Sequence, residues 1–262
     1  MVVQRKIFQR DNLTFSYLDT EGEKPLLVAL HGHMMEGATF LPLMQVLQSS
    51  YRVVALDQRG HGASDHAASY TRDDYLCDIE ALLQTLDCDA PVILLGHSLG
   101  GVNAYQFAAR HPELVCALII EDIGAAVNDN LSFCLAWSGF FKTQEDLVAR
   151  IGPNMARYLA PSFRQTAQGW KLAFDPAEMV QSQTCLNGDH WTDWLATSCP
   201  ALLLHGAQSP VLTSIMSEEM ATRRLRTQVQ TLPGGHVLHQ DDFPGYVQAV
   251  EGFLARLSAE QT

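Results

Sequence analysis

The chain runs to 262 residues, long enough for one large core or two small ones, and 47% apolar against 18% charged residues places it among globular proteins. A formal net charge of -12 argues against nucleic acid and anionic membrane surfaces as partners. No segment approaches the roughly 18 consecutive apolar residues of a membrane span, and Met1 to Asp11 lacks the apolar run of a signal peptide, so a cytoplasmic protein is expected.

Lys6 to Arg10 and Leu13 to Asp19, separated by Asp11-Asn12, predict a hairpin. Leu26 to Leu30 is apolar at every position, as in a strand buried on both faces, and ends in His31-Gly32-His33. A helix is predicted over Thr39 to Gln48, then a buried strand over Arg52 to Leu56. Thr71 with Asp74 forms a capping box ahead of Leu76, Ile79, Leu83 and Leu86 at helical spacing. Val92 to Leu95 runs directly into Gly96-His97-Ser98-Leu99-Gly100-Gly101, the strand-turn-helix pattern of a nucleophile elbow. A helix from Leu99 to about Arg110 and a strand from Leu114 to about Glu121 follow. Strands alternating with helices imply a parallel sheet covered on both faces, with the turns after the strand C-termini lined up along one edge.

From Ala125 to Ala196 the rhythm breaks, and this stretch holds all four tryptophans, Trp137, Trp170, Trp191 and Trp194. So long a run is not a plain loop. It is read as a helical cap subdomain, 125–196, inserted into a core domain formed by 1–124 and 197–262. Most of its aromatics are expected to form the insertion's own small core. Trp137, Phe141 and Trp191, with His31 from the sheet edge, are candidates for lining an apolar pocket over Ser98. Alternation resumes with a strand over Ala201 to Leu204, a helix near Ser214 to Arg224, a strand to Leu232, then Pro233-Gly234-Gly235-His236 and a last helix carrying Val247, Val250, Leu254 and Leu257 on one face.

A serine hydroxyl needs an adjacent imidazole to take its proton and a third group to hold that imidazole in one tautomer. Of the ten histidines, His236 follows a flexible Gly-Gly turn and leads into a helix, as a base reaching across to Ser98 would; His239 is the runner-up. The acid is harder to place. The turn after Ala201 to Leu204 reads Gly206-Ala207-Gln208-Ser209-Pro210, and no carboxylate occurs between Asp193 and Glu218. Glu121 and Asp122 are the candidates, and because strand side chains alternate, only one should face the histidine. Backbone N–H groups of Leu99 and His33 are the expected oxyanion donors. The His31 and His33 pair has no third ligand at recognisable spacing, so no metal is assigned. The six cysteines show no Cys-x-x-Cys pair and are expected to be free thiols.

Leu30-His31-Gly32-His33, Asp57-Gln58-Arg59-Gly60-His61-Gly62-Ala63-Ser64, Gly96-His97-Ser98-Leu99-Gly100-Gly101 and Gly234-Gly235-His236 occur in an order that resembles the α/β-hydrolase superfamily over nearly the whole chain. The resemblance implies an α/β fold, a mostly parallel sheet flanked by helices on both faces with a helical cap. It further implies serine hydrolase activity without a cofactor, and a mainly structural Asp57–Ser64 loop. Ser209 departs from the pattern, because most relatives carry aspartate there. Esterase-like and lactonase-like branches place the acid about 24 positions after the serine, which favours Asp122 by resemblance. The expectation is a Ser98, His236, Asp122 triad cleaving a carboxylic ester, thioester or lactone with an apolar part. Asp122→Asn should then cost about 10⁴ in turnover and Glu121→Gln little. Carbon-carbon hydrolysis or perhydrolysis would use the same triad, and a ligand-binding or signalling protein with little turnover is kept in view by the missing carboxylate near Ser209. A homodimer is left open.

Overall fold

The computed structural model describes residues 3–88 and 90–260, the side chain of Glu260 aside. Strands β1 (Gln4–Arg10) and β2 (Leu13–Asp19) form the expected antiparallel hairpin. β3 (Leu26–Leu30) is followed by α1 (Leu41–Leu47), β4 (Arg52–Leu56), α2 (Arg72–Leu86), β5 (Val92–His97), α3 (Leu99–Arg110) and β6 (Val115–Glu121). The predicted capping box is present: the Thr71 side chain accepts from the Asp74 N–H, and the Asp74 carboxylate accepts from the Thr71 N–H at 3.0 Å. α1 is shorter than predicted. Pro42 stands in its first turn, where the missing N–H costs nothing, and Gly37–Phe40 forms a separate 3₁₀ turn.

Residues 125–196 contribute no strand to the main sheet. They hold β7 (Ala126–Val127), α4 (Gln144–Ile151), α5 (Pro153–Leu159), β8 (Phe163–Thr166), β9 (Gly169–Leu172), α6 (Pro176–Leu186), β10 (Gly188–Asp189) and α7 (Trp191–Leu195). The β8–β9 hairpin corrects the all-helical expectation. It depends on Gly169, whose φ is +124° and where a Cβ would lie 2.4 Å from the Phe141 carbonyl oxygen. The chain returns through β11 (Ala201–Gly206), α8 (Ser214–Arg223), β12 (Thr227–Leu232), α9 (Leu238–Asp241) and α10 (Phe243–Glu260). Among the described residues no helix is long and apolar enough to cross a membrane.

The eight-stranded sheet has the order β1-β2-β4-β3-β5-β6-β11-β12, antiparallel at β1 and β2 and parallel from β4 onward. Every residue of β3 is buried because the sheet is covered twice. Leu26, Val28 and Leu30 pack with Leu76 and Ile79 of α2 and Val102 of α3, while Leu27 and Ala29 pack with Leu43 of α1 and Val250 of α10. The inserted region has its own apolar cluster, including Trp137, Leu147, Leu159 and Met179, which is continuous with Met34 and Met35 from the turn after β3. The C-terminal ends of β3, β5, β6 and β11 therefore open toward the insertion, the edge at which parallel sheets place ligands.

Candidate active site

Ser98 joins β5 to α3 with φ +52° and ψ -117°, a conformation that a residue bearing a side chain holds only when its surroundings over-determine it. Both flanking glycines are sterically required. A Cβ on Gly96 would lie 2.2 Å from the Gly100 carbonyl oxygen, and one on Gly100 would lie 2.0 Å from that of Leu30. The Ser98 N–H is anchored to the Glu121 carbonyl at 3.0 Å, which ties the elbow to the end of β6. The His31-Gly32-His33 turn lies against it: a Cβ on Gly32 would sit 3.1 Å from Ser98 Cβ. Among the described residues the N–H groups of His33 and Leu99 donate to no acceptor, so both remain available beside the serine.

β6 ends in two carboxylates that face opposite ways. Asp122, at φ +51° and fully buried, accepts from His236 Nδ1–H at 2.8 Å through Oδ2 and from the Gly206 N–H at 2.9 Å through Oδ1. The Ser209 hydroxyl donates to the same Oδ2. The position where a carboxylate was missed thus carries a hydroxyl that contacts the carboxylate supplied by β6. Because a carboxylate only accepts, the His236 proton sits on Nδ1, leaving Nε2 as the unprotonated nitrogen of the neutral ring. His236 and Ser98 line the same cavity.

Glu121 makes a second buried pair. Its two carboxylate oxygens each lie 2.9 Å from His239 Nδ1, and its Oε1 also accepts from the His239 backbone N–H at 3.1 Å. His239 Nε2 meets the Thr39 hydroxyl at 2.8 Å. Burial alone would raise the Glu121 pKa, but the charges of His239 and His97 and the hydrogen bonds from His239 outweigh it and bring it down to about 2. His97 stands opposite Glu121 in the β5–β6 register, its ring centroid 4.7 Å from that of His236 and 5.2 Å from that of His239. Its Nε2–H donates to the His236 carbonyl at 2.8 Å, and burial pushes its pKa down to about 3. His239, the runner-up base, is thus held by Glu121 on the far side of His97. Glu121→Gln should accordingly destabilise the fold by about 2 kcal/mol, the scale for leaving a buried donor without its acceptor, while the folded fraction keeps turnover within about fivefold. Urea unfolding alongside steady-state rates separates the two, and a large loss of turnover at unchanged stability would reverse the assignment.

The cavity over Ser98 measures about 480 Å³. Its walls come from Met34 and Met35 after β3, from Val127 and Leu131 at the start of the insertion, and from α5 and α6 through Leu159 and Leu186. His33 lines it as well, its Nε2 paired with the Ser182 hydroxyl at 2.8 Å. The four proposed pocket residues do not line it, which corrects that expectation. His31 is fully buried, its Nδ1–H donating to the Gly32 carbonyl and its Nε2 accepting from the Gln58 N–H. Trp137 is spent in the insertion's core, and Phe141 borders a separate shallow groove with Lys142 and Arg150. Trp191 is covered by the Arg223 guanidinium at 3.7 Å from its ring centroid. The signal for Met34 and Met35 was present in the sequence: two large apolar side chains in a turn at the sheet edge need something to cover them.

An eight-stranded, mostly parallel sheet with a serine on a strained strand-to-helix turn defines the α/β-hydrolase class of scaffold. The chain belongs to the alpha/beta hydrolase family, whose pattern matches residues 27–249. It is 27% identical over 249 residues to 2-(acetamidomethylene)succinate hydrolase of Mesorhizobium japonicum, covering 89% of each chain. It is 26% identical over 266 residues to the sn-1-specific diacylglycerol lipase ABHD11 of Mus musculus, covering 93% of this chain and 85% of that one. Among solved structures, E-2-(acetamidomethylene)succinate hydrolase superposes with a TM-score of 0.86 at 25% identity, over 97% of this chain and 100% of the other.

Proposed function

We propose that this chain is a serine hydrolase that cleaves a carboxylic ester, thioester or lactone through an acyl-enzyme. The observation that carries this reading is the 2.8 Å contact from His236 Nδ1 to the buried Asp122 carboxylate, at a cavity shared with the strained Ser98. Ser98 Oγ attacks the carbonyl carbon while His236 Nε2 takes its proton, and Asp122 stabilises the resulting imidazolium. The carbonyl oxygen, now an oxyanion, is held by the N–H groups of His33 and Leu99; losing one such donor typically costs about 100- to 1000-fold. The tetrahedral intermediate collapses, the bond to the leaving group breaks, and His236 returns the proton to the departing alcohol or thiol. Water, activated by the same Nε2, then attacks the acyl carbon and frees Ser98. In this reading 125–196 acts as the cap that covers the acyl group.

The ground for a non-catalytic binding role was the missing carboxylate near Ser209, and the carboxylate of Asp122 beside that hydroxyl weakens it. A fluorophosphonate should label the protein at Ser98, labelling should vanish in Ser98→Ala, and p-nitrophenyl acyl esters should turn over. Folded protein that shows no labelling and no turnover would overturn the reading.

A further inference from the structure

The walls of the cavity define what the substrate carries at its far end. Among the described residues no lysine or arginine borders the cavity, and the one carboxylate there is that of Asp129, an exposed residue just after β7. Met34, Met35, Leu131, Leu159, Leu186 and Val237 are among the apolar side chains that line it. Two polar side chains of the wall, Tyr158 and Gln183, are engaged with the protein, while Asn128 and Asp129 are exposed. The Tyr158 hydroxyl donates to Asp241 at 2.6 Å, and the Gln183 amide donates to Asn187 at 2.7 Å.

The arginines that could have served are engaged elsewhere. Arg157 pairs with Asp241 at 2.9 Å and Arg164 with Glu36, and Arg72, whose Nε and Nη2 donate to Gln106 and Asn103 of α3 while Nη1 is buried without a partner, does not border the cavity. His33 and His97 are both held neutral by burial. A substrate carboxylate entering here would lose its water against methionine and leucine walls without gaining a cation, a costly transfer. It would also enter past Asp129 on a chain of net charge -12.

We propose that the cavity receives an uncharged, flexible aliphatic acyl group of medium length, and that dicarboxylates such as the one in the Mesorhizobium relative's name are poor substrates here. This rests on the triad reading for the chemistry but on the cavity walls for the selectivity. At roughly 30 Å³ for each water-sized group, 480 Å³ holds about sixteen such groups, shared between acyl chain and leaving group. That is ample for six to eight acyl carbons.

The test pairs molecules of equal carbon count that end in a methyl or in a carboxylate. For p-nitrophenyl acetate, butyrate and hexanoate, kcat/KM should rise about three- to fourfold per methylene. The half-ester p-nitrophenyl adipate, with six acyl carbons and a terminal carboxylate, should fall at least 100-fold below the hexanoate. Met155→Arg, at the half-open rim of the cavity, should narrow that gap at least tenfold by supplying the absent cation. Binding to Ser98→Ala, followed by tryptophan fluorescence, reads the same selectivity without catalysis: 2-octanone should bind at least tenfold more tightly than 7-oxooctanoate. Equal binding of these two ligands, or adipate turnover within threefold of hexanoate, overturns the proposal. Selective ketone binding without ester turnover or Ser98 labelling would sink the triad and leave the substrate class standing.

Discussion

Asp122→Asn is expected to lower kcat for p-nitrophenyl esters by about 10⁴-fold, the scale on which a triad loses its orienting carboxylate. The side chain accepts three hydrogen bonds, from His236 Nδ1, the Gly206 N–H and the Ser209 hydroxyl. An amide of the same shape offers one acceptor oxygen and one NH₂, so at least one of the three donors is left facing a donor. If the NH₂ faces His236, the ring must put its proton on Nε2, where it cannot accept from Ser98. The neighbouring hydroxyl offers a rescue. Ser209 Oγ touches the same Oδ2 that holds His236, so a carboxylate at 209 falls within reach of the imidazole. Ser209→Asp added to Asp122→Asn should recover at least 100-fold of the lost kcat. Ser209→Asp alone should lower activity, because two carboxylates crowded into one site cannot both stay ionised. A double variant that folds, shown by an unchanged melting temperature, yet is no more active than Asp122→Asn would show that position 209 cannot hold the ring.

The strands were readable because burial on both faces leaves an all-apolar signature, as in Leu26 to Leu30, and the elbow because Gly96 and Gly100 have no steric alternative. From the residue pattern alone Glu121 and Asp122 were readable only as a choice, and it was the resemblance that favoured Asp122. Alternation along a strand says that one of two adjacent carboxylates faces a given side, but which side belongs to His236 is set by where the chain returns after β12. The pocket was the least legible part. Tryptophan and phenylalanine mark an apolar environment without saying which one, and Trp137 and Trp191 found theirs inside the insertion and under Arg223. The four-residue strands β8 and β9 escaped notice because they are too short for a period to show, and the two central residues of their turn, Ala167-Gln168, are not ones that mark a hairpin, the glycine standing one place later at Gly169.

Acid should unfold this protein well above the pH that ordinary carboxylates require. His31 and His61 are fully buried and His97 nearly so, and burial pushes their pKa values down to about 4, 3 and 3 from an ordinary 6.5. In each case the unfolded chain takes up the proton first. Their neutral forms therefore cost nothing above pH 6.5, and stability is lost progressively as pH falls from there toward the folded-state values. Each group contributes up to about 1.4 kcal/mol per pH unit inside that window. Three groups across one and a half units approach 6 kcal/mol, comparable to the ~5–15 kcal/mol total stability of a typical domain. A domain with about 6 to 10 kcal/mol of stability at neutral pH would then reach its unfolding midpoint between about pH 5 and 4. Glu121, with its pKa near 2, adds its own loss only below about pH 4.5, as the unfolded chain protonates it first. Urea unfolding at half-unit steps from pH 7.5 to 4.5 measures the slope. His61→Asn, which keeps a donor for the Arg59 carbonyl that His61 Nδ1 now serves, should flatten it by about a third even as it lowers stability at neutral pH. A stability that stayed constant from pH 6.5 to 4.5 would mean these rings are not held neutral.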